Sequence, residues 1–384
     1  MKKVITTEKL PIKMWLTELE EGALSQAKDL ANLPFAFHHI AIMPDAHLGY
    51  GMPIGAVLAS KEAVVPNAVG VDIGCGMCSL RTNLKSVDTE TLKTIMSDIR
   101  NSVPVGFKHH KEQQDESWMP KVTGDLPIVE QEYEKARYQV GTLGGGNHFI
   151  EIQQGSDGYV WIMIHSGSRN IGYTVAQHYH RLAVEMRDKM KFKIPQDLSC
   201  FPLETEEADA YLAEMNYCIE FALRNRKLMM ERVKEAFKRV SGDIEFDNFI
   251  NKPHNFAAWE THFGEEVIVH RKGATRARKG EPGMIPGSQG SFSYIVKGKG
   301  NPESFESCSH GAGRVMSRNQ ARKTLSVHEE TTLLKMMGVI HSIRSKRDLD
   351  EAPGSYKDIE EVMELQKDLV EIDVTLRPLA VIKG

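Results

Sequence analysis

Residues 69–77 read VGVDIGCGM, which sets a carboxylate, Asp72, three residues ahead of a thiol, Cys75, among glycines at 70, 74 and 76. Glycine lets main chain approach closely and adopt conformations closed to other residues, so whatever these two side chains touch must come near the backbone. Three histidines extend the set, each where an apolar run meets a turn. His148 lies in GTLGGGNHFIEI, His165 ends VWIMIH, and His254 follows a proline in NKPHNFAAW. Carboxylate, thiolate and imidazole together suit zinc, manganese, iron or cobalt better than magnesium. A thiolate can bridge two ions, so the set reads as a dinuclear metal site. The CGMC at 75–78 has no second cysteine pair to complete a zinc ribbon, and as a redox pair it would leave Asp72 unexplained. A buried thiol beside an Asp turn is the alternative reading of Cys75 taken alone.

The loops around these donors look prepared for phosphate. HSGSRNIG (165–172) places Ser166, Ser168 and Arg169 ahead of an expected helix, whose N-terminal amides favour anions. SHGAGRVMSRNQA (309–321) puts His310 in a glycine turn, with Arg314 and Arg318 expected on one face of a following helix. Residues 270–294 add Arg271, Lys272, Arg276, Arg278 and Lys279, then hydroxyls at 288, 291 and 293. That stretch reads either as a local site for a polyanion backbone or as a solvated surface loop.

The elements that must hold these residues are legible in outline. Residues 39–82 alternate apolar runs with Gly, Pro and Asp and read as strands joined by tight turns. Helices are expected at 88–102, 127–139, 171–190 and 356–371, and a longer helical stretch at 205–240. Strands are expected at 147–153, 159–165, 266–270, 292–297 and in the closing TLRPLAVI, with 107–125 a surface loop. The mixture is α+β (mixed α/β), with the 205–240 stretch read as a helical insertion. Lys and Arg total 48 against 52 Asp and Glu, a net charge of −4, so no global basic field points to nucleic acid. Five cysteines scattered over 384 residues do not form a disulfide framework and favour a reducing compartment, with the cytoplasm expected. No apolar run approaches the roughly 20 residues of a membrane span.

Nine motifs, taken together, resemble the RtcB-type RNA-splicing ligases. They are MPDAHLGYGMPIGAV, VGVDIGCGM, GTLGGGNHFIEI, HSGSRNIG, HNFA, RKGAT, IPGSQGSFSY, SHGAGRVMSR and AVIKG, in order from residue 43 to 384. The resemblance implies a single RtcB-like catalytic domain over 1–384, with a mixed β-sheet core surrounded by helices. It implies that Asp72, Cys75, His148, His165 and His254 bind two Mn(2+) ions, that His310 is the nucleophile guanylylated by GTP, and that Asp45 orients it. It implies nucleotide contacts from Asn147, Glu151, Ser288, Ser293, Tyr356 and Lys383, and RNA phosphate contacts from Arg169 and Arg318. The implied substrates are RNA ends bearing a 3′-phosphate or 2′,3′-cyclic phosphate and ends bearing a 5′-hydroxyl, with an archease-type activator as a further partner. Two alternatives stand beside this: a manganese-dependent RNA phosphodiesterase or phosphatase that never ligates, and a non-catalytic RNA-binding factor. Gln289 departs from the methionine usual at its position, and Cys78 adds a second thiol that could make the site more oxidisable.

Overall fold

The computed structural model describes residues 1–189 and 193–384. The glycine-punctuated apolar runs pair into two large sheets and two small two-stranded ones, since short buried runs that turn sharply can satisfy their backbone only by lateral pairing. The first sheet has six strands in the order Lys3–Ile5, Ile12–Met14, Ala36–His47, Ile54–Ser60, Glu265–Lys272 and Asn255–His262. Ile12–Met14 runs parallel to Ala36–His47, and the other neighbours are antiparallel. The second sheet has seven antiparallel strands in the order Phe246–Pro253, Gly76–Thr82, Val160–Ser166, Phe149–Gly155, Val370–Lys383, Ser293–Gly298 and Pro282–Ile285. The expected α+β mixture is therefore present, its sheet core divided between two large sheets against which helices pack.

The stretch expected at 205–240 is one helix, Glu206–Ser241, 36 residues and about 54 Å long at 1.5 Å per residue. Thr205 caps it by accepting from the Ala208 N–H at 3.3 Å, acidic residues fill its first turn and Lys238 and Arg239 its last, in accord with the helix dipole. It is built into the core. Tyr211, Met215, Cys218 and Phe221 pack with the helix Arg169–Met186, while Met229, Met230, Val233 and Phe237 pack with the helix Thr89–Ser102 behind the second sheet. Two polar side chains on this helix tie down loops. Arg226, fully buried, donates to the carbonyls of Gly74 and Ser166 at 2.9 and 2.8 Å and to Asn251 Oδ1 at 2.7 Å. Asn225 accepts from the amides of Gly141 and Thr142 and donates to Ser166 Oγ and the Gly167 carbonyl.

Several expectations need correction. The helix expected at 356–371 is confined to Ile359–Leu365, capped by Asp358, because residues from Val370 onward are drawn between two strands of the second sheet. Long-range pairing there outweighs local helical spacing. The helix expected at 127–139 is Pro127–Ala136, and that expected to begin at Ile171 begins at Arg169 and runs to Met186, its expected end at Met190 lying outside the described residues. Arg314 and Arg318 do not share a helix face, because the helix starts only at Arg318, behind the Ser317 cap.

The basic stretch 270–294 is not a surface for polyanions. Arg271 is fully buried and pairs with Glu260 through two nitrogens, at 2.6 and 2.9 Å, while Arg276 pairs with Glu281 and Arg278 with Glu306. Burial alone would raise the Glu260 pKa, but the Arg271 charge and hydrogen bonds from His262 and Arg271 pull it from 4.5 to about 2. A carboxylate depressed in this way stabilises the fold fully above its unfolded pKa and loses that contribution as pH falls toward the folded one. Acid unfolding monitored by circular dichroism should therefore show a contribution on the order of 3 kcal/mol fading between about pH 4.5 and 2. Glu260→Gln should remove that pH dependence and lower stability at neutral pH.

Candidate active site and metal centre

Four adjacent strands of the second sheet each deliver one donor at the same end. His254 follows Phe246–Pro253, Cys75 precedes Gly76–Thr82, His165 is the penultimate residue of Val160–Ser166, and His148 precedes Phe149–Gly155. Their register makes them neighbours: Pro253 pairs with Gly76, Met77 with His165, and His165 with Phe149. Cys75 Sγ lies 3.5 Å from His148 Nε2 and 3.3 Å from His165 Nε2, and His165 Nε2 lies 3.3 Å from His254 Nε2. Asp72 Oδ2 is 3.2 Å from His148 Nε2. All five sequence-expected donors thus form one contiguous chain of contacts, and the Cys75, His148 and His165 donor atoms lie within 4.8 Å of one another.

The donors suit a cation. His165 Nδ1 faces the Asn147 carbonyl at 3.1 Å, which can only accept, so the proton sits on Nδ1 and Nε2 presents its lone pair to Cys75 and His254. Burial holds His165 and His254 well below the usual imidazole pKa, reinforced by neighbouring histidines, so both rings are neutral. Burial, then the Asp72 charge, pushes the Cys75 thiol well up, and a bound cation would reverse that shift. Gly76 is required here, since a Cβ would lie 2.2 Å from the Lys252 carbonyl oxygen.

Asp72 has a second task that sequence reading assigned to an external anion. Its Oδ1 accepts from the Ser168 amide at 3.0 Å, at the N-terminus of the helix Arg169–Met186, and Gly167 leaves room for the carboxylate, where a Cβ would sit 2.1 Å from Oδ1. The helix end expected to bind phosphate is capped from within. Ser166 is likewise buried and donates to the Leu143 carbonyl at 2.7 Å. Arg169 donates to Thr142 Oγ1 and the Gly106 carbonyl, each at 3.0 Å, and bears a left-handed φ of 59°.

His310 adjoins the cluster, its ring centroid 4.7 Å from that of His254. It follows the strand Ser307–Ser309 and meets Asp45 from a bulged section of Ala36–His47. Asp45 Oδ2 accepts from the His310 amide at 3.1 Å, from His310 Nδ1 at 2.6 Å and from the Gly311 amide at 3.3 Å. Burial opposes ionisation of Asp45, but the His310 ring beside it holds its pKa below the usual carboxylate range. An ionised acceptor at Nδ1 fixes the tautomer that leaves Nε2 with a free lone pair. Gly273 and Gly313 permit the approach, because a Cβ at 273 would lie 2.4 Å from Ile54 and one at 313 would lie 2.2 Å from the Asp45 carbonyl oxygen.

A cavity of about 510 Å³ opens beside His310, lined by Asn147, Glu151, Ser288, Tyr356, Lys383 and Arg318 among others. Ser293 does not line it. That hydroxyl is buried and accepts from the Gly287 amide at 3.2 Å, supporting the loop that presents Ser288. Glu151 is buried, its pKa raised by burial to about 8, so its carboxyl is protonated at neutral pH and can donate as well as accept. One lining residue, and one that holds four lining side chains in place, escaped the sequence reading. His47, beside Asp45, is held by burial at a pKa of about 4. Glu351 anchors Arg314 and Arg318 at 3.1 Å each, Lys383 at 3.5 Å and the Tyr356 hydroxyl. Nothing in DLDEAPGSY marks Glu351, because three of its four partners, Arg314, Arg318 and Lys383, lie more than 30 residues away along the chain. Gln289 donates to the Glu351 carbonyl at 2.8 Å. Cys78 contributes no second reactive thiol: it is buried in the core behind the sheet, and burial raises its pKa to about 12.

Comparison with known proteins gives this site its context. Residues 26–125 and 121–384 match the family described as tRNA-splicing ligase RtcB. The chain belongs to the RtcB family of RNA-splicing ligases. It is 42% identical to the RNA-splicing ligase RtcB of Escherichia coli K12 over 411 aligned positions, covering all of this chain and 99% of that one. The tRNA-splicing ligase RtcB of Nanoarchaeum equitans is 32% identical over 461 positions, covering all of this chain and 95% of the relative. RNA-splicing ligase RtcB homolog 2 of Entamoeba dispar is 32% identical over 94% of this chain and 84% of its own. These alignments run longer than 384 positions, so this RtcB-family chain lacks segments its relatives carry. Among the described residues no helix is long and apolar enough to cross a membrane.

If the four-strand cluster holds metal, His165→Ala and Cys75→Ala should each weaken divalent-cation binding by at least about ten-fold in calorimetric titrations. Cys78→Ala should leave it unchanged.

Proposed function

We propose that this RtcB-family enzyme joins RNA ends bearing a 3′-phosphate or 2′,3′-cyclic phosphate to ends bearing a 5′-hydroxyl, with GTP as co-substrate and His310 as the nucleophile. The observation that carries the reading is the Asp45 carboxylate gripping His310 Nδ1 at 2.6 Å beside the donor cluster. With Nδ1 protonated, the Nε2 lone pair of His310 attacks the α-phosphorus of GTP, the N–P bond forms, the α–β phosphoanhydride bond breaks and pyrophosphate departs. The GMP then passes to an oxygen of the RNA 3′-phosphate, freeing His310. The 5′-hydroxyl of the second RNA attacks that activated phosphorus, GMP leaves, and a phosphodiester remains.

Asp72, Cys75, His148, His165 and His254 would hold two Mn(2+) ions, which when bound supply neutralisation of phosphate charge. Asn147, Glu151, Ser288, Tyr356 and Lys383 would receive the nucleotide in the cavity beside His310, with Ser293 supporting their loop. A protonated Glu151 suits the edge of a purine, to which it can both donate and accept. Arg318 would meet RNA phosphate once released from Glu351, while Arg169 would act chiefly by bracing the loop at Gly106. A hydrolase that never ligates has no use for a tautomer-fixed His310, and this favours ligation over the phosphodiesterase alternative. The five cysteines, all free and buried, suit the reducing cytoplasm. An archease-type protein would serve as activator.

Incubation with α-labelled GTP and manganese should place the label covalently on wild-type protein and leave His310→Ala unlabelled. Asp45→Asn should slow labelling by about a hundred- to ten-thousand-fold, through loss of the required tautomer. Joining of 5′-phosphate to 3′-hydroxyl ends instead would refute the reading. Glu351→Gln should raise the KM for GTP about ten-fold, because Tyr356 and Lys383 lose their common anchor; an unchanged KM would remove Glu351 from the nucleotide site.

A further inference from the structure

Phe107 is 99% exposed, the most exposed large apolar side chain among the described residues. Its loop is nevertheless well held. The Gly106 amide donates to the Gly144 carbonyl at 2.9 Å, the Leu143 amide to the Pro104 carbonyl at 3.0 Å, and Arg169 Nη2 to the Gly106 carbonyl at 3.0 Å. These bonds tie the loop to the glycine run that ends at His148, so the main chain that carries the ring keeps a fixed place relative to the candidate metal centre. It stands on the lining of a second cavity, about 630 Å³, together with Asp72, His148, Arg318, Arg322 and Arg347. Asn147, Gln289, Arg318 and Lys383 line both cavities, which therefore meet along a common wall.

The charges of this second cavity are not all internally satisfied. Asp350 pairs with Arg322 at 2.6 Å, and Asp348 accepts from the amides of Arg344 and Ser345. The guanidinium of Arg347 is exposed and makes no ion pair or hydrogen bond among the described residues. The other large apolar side chain of the lining, Ile343, is buried, so Phe107 stands alone, followed in sequence by Lys108 and His109. A protein partner needs a contiguous apolar patch. A nucleobase needs only one ring face, with a cation nearby for its phosphate.

The geometry points to Phe107 as a stacking platform for a nucleobase at an RNA end, with Arg347 receiving an adjoining phosphate. The assignment rests on the RNA-joining reaction proposed above and adds the lobe where the RNA end lies. The ring contributes affinity and register for the end that must reach Asp72 and His148, and it leaves the nucleotide lobe free.

The test compares wild type with Phe107→Ala, Phe107→Leu and Phe107→Trp, using RNA pairs that are intact or carry an abasic site at the last nucleotide of the 3′-phosphate end or at the first nucleotide of the 5′-hydroxyl end. On intact RNA, Phe107→Ala should raise the RNA KM roughly ten-fold, Phe107→Leu should do the same, and Phe107→Trp should restore binding. The Phe107→Ala penalty should vanish on one of the two abasic substrates, which names the end that stacks. An unchanged KM for Phe107→Ala, or a penalty equally large on both abasic substrates, overturns the assignment. So does a defect seen only when an activator protein is added, which would make the ring a protein contact. Covalent GTP labelling is read in the same preparations: a wild type that takes no label yet loses RNA affinity on Phe107→Ala would sink the reaction and leave the stacking platform standing.

Discussion

The register of four antiparallel strands is the constraint on which the site depends. Because Pro253, Gly76, Met77, His165 and Phe149 are locked in ladder pairs, the residues at that end of the sheet can only be His254, Cys75, His165 and His148. A slip of one residue in any strand would move its donor about 3.3 Å and turn alternating side chains to the other face. The core behind this sheet, with Cys78, Leu80, Ile150, Ile162 and Ile164 buried against the long helix, opposes such a slip. Hydrophobic alternation thus sets the position of the polar cluster.

That cluster would be costly without support from the other side. Arg226 brings a cation into the interior, where burial lowers its pKa, and it is held by carbonyls at the ends of two donor strands and by Asn251. Asn225, next to it on the same helix, stitches the glycine run to the turn after His165. The glycines at 74 and 76 are the complement of this arrangement: a Cβ at 74 would meet the helix at Ile219, 2.8 Å away. Close packing of a helix onto donor-bearing loops is what makes so many polar groups tolerable in the core.

The reactive histidine is governed differently. His310 and Asp45 come from segments 265 residues apart and meet where the first sheet adjoins the second, with His254 as the nearest member of the cluster. Asp45 satisfies two backbone amides and one ring nitrogen with a single oxygen, so the imidazole is fixed in both tautomer and orientation. Glu351 has the corresponding role on the nucleotide side, drawing Arg314, Arg318, Lys383 and the nearby Tyr356 onto one carboxylate.

The sequence by itself determined the donor types, the glycines they require, the α+β alternation and most element positions, because turn chemistry and apolar spacing are local properties. It also carried the family, since nine motifs in order are too specific to arise from composition. Only the tertiary structure decided which charges are available. Arg271, Arg276 and Arg278 look like a basic patch in sequence, yet each finds a carboxylate through folding, and Asp72 fills the helix end that local reading left for phosphate. Glu351 and Phe107 were invisible for the same reason: one is defined by partners brought mostly from elsewhere in the chain, the other by its near-complete exposure. The fate of a side chain's charge or exposed surface is a property of its neighbours in space, which a linear chain does not state.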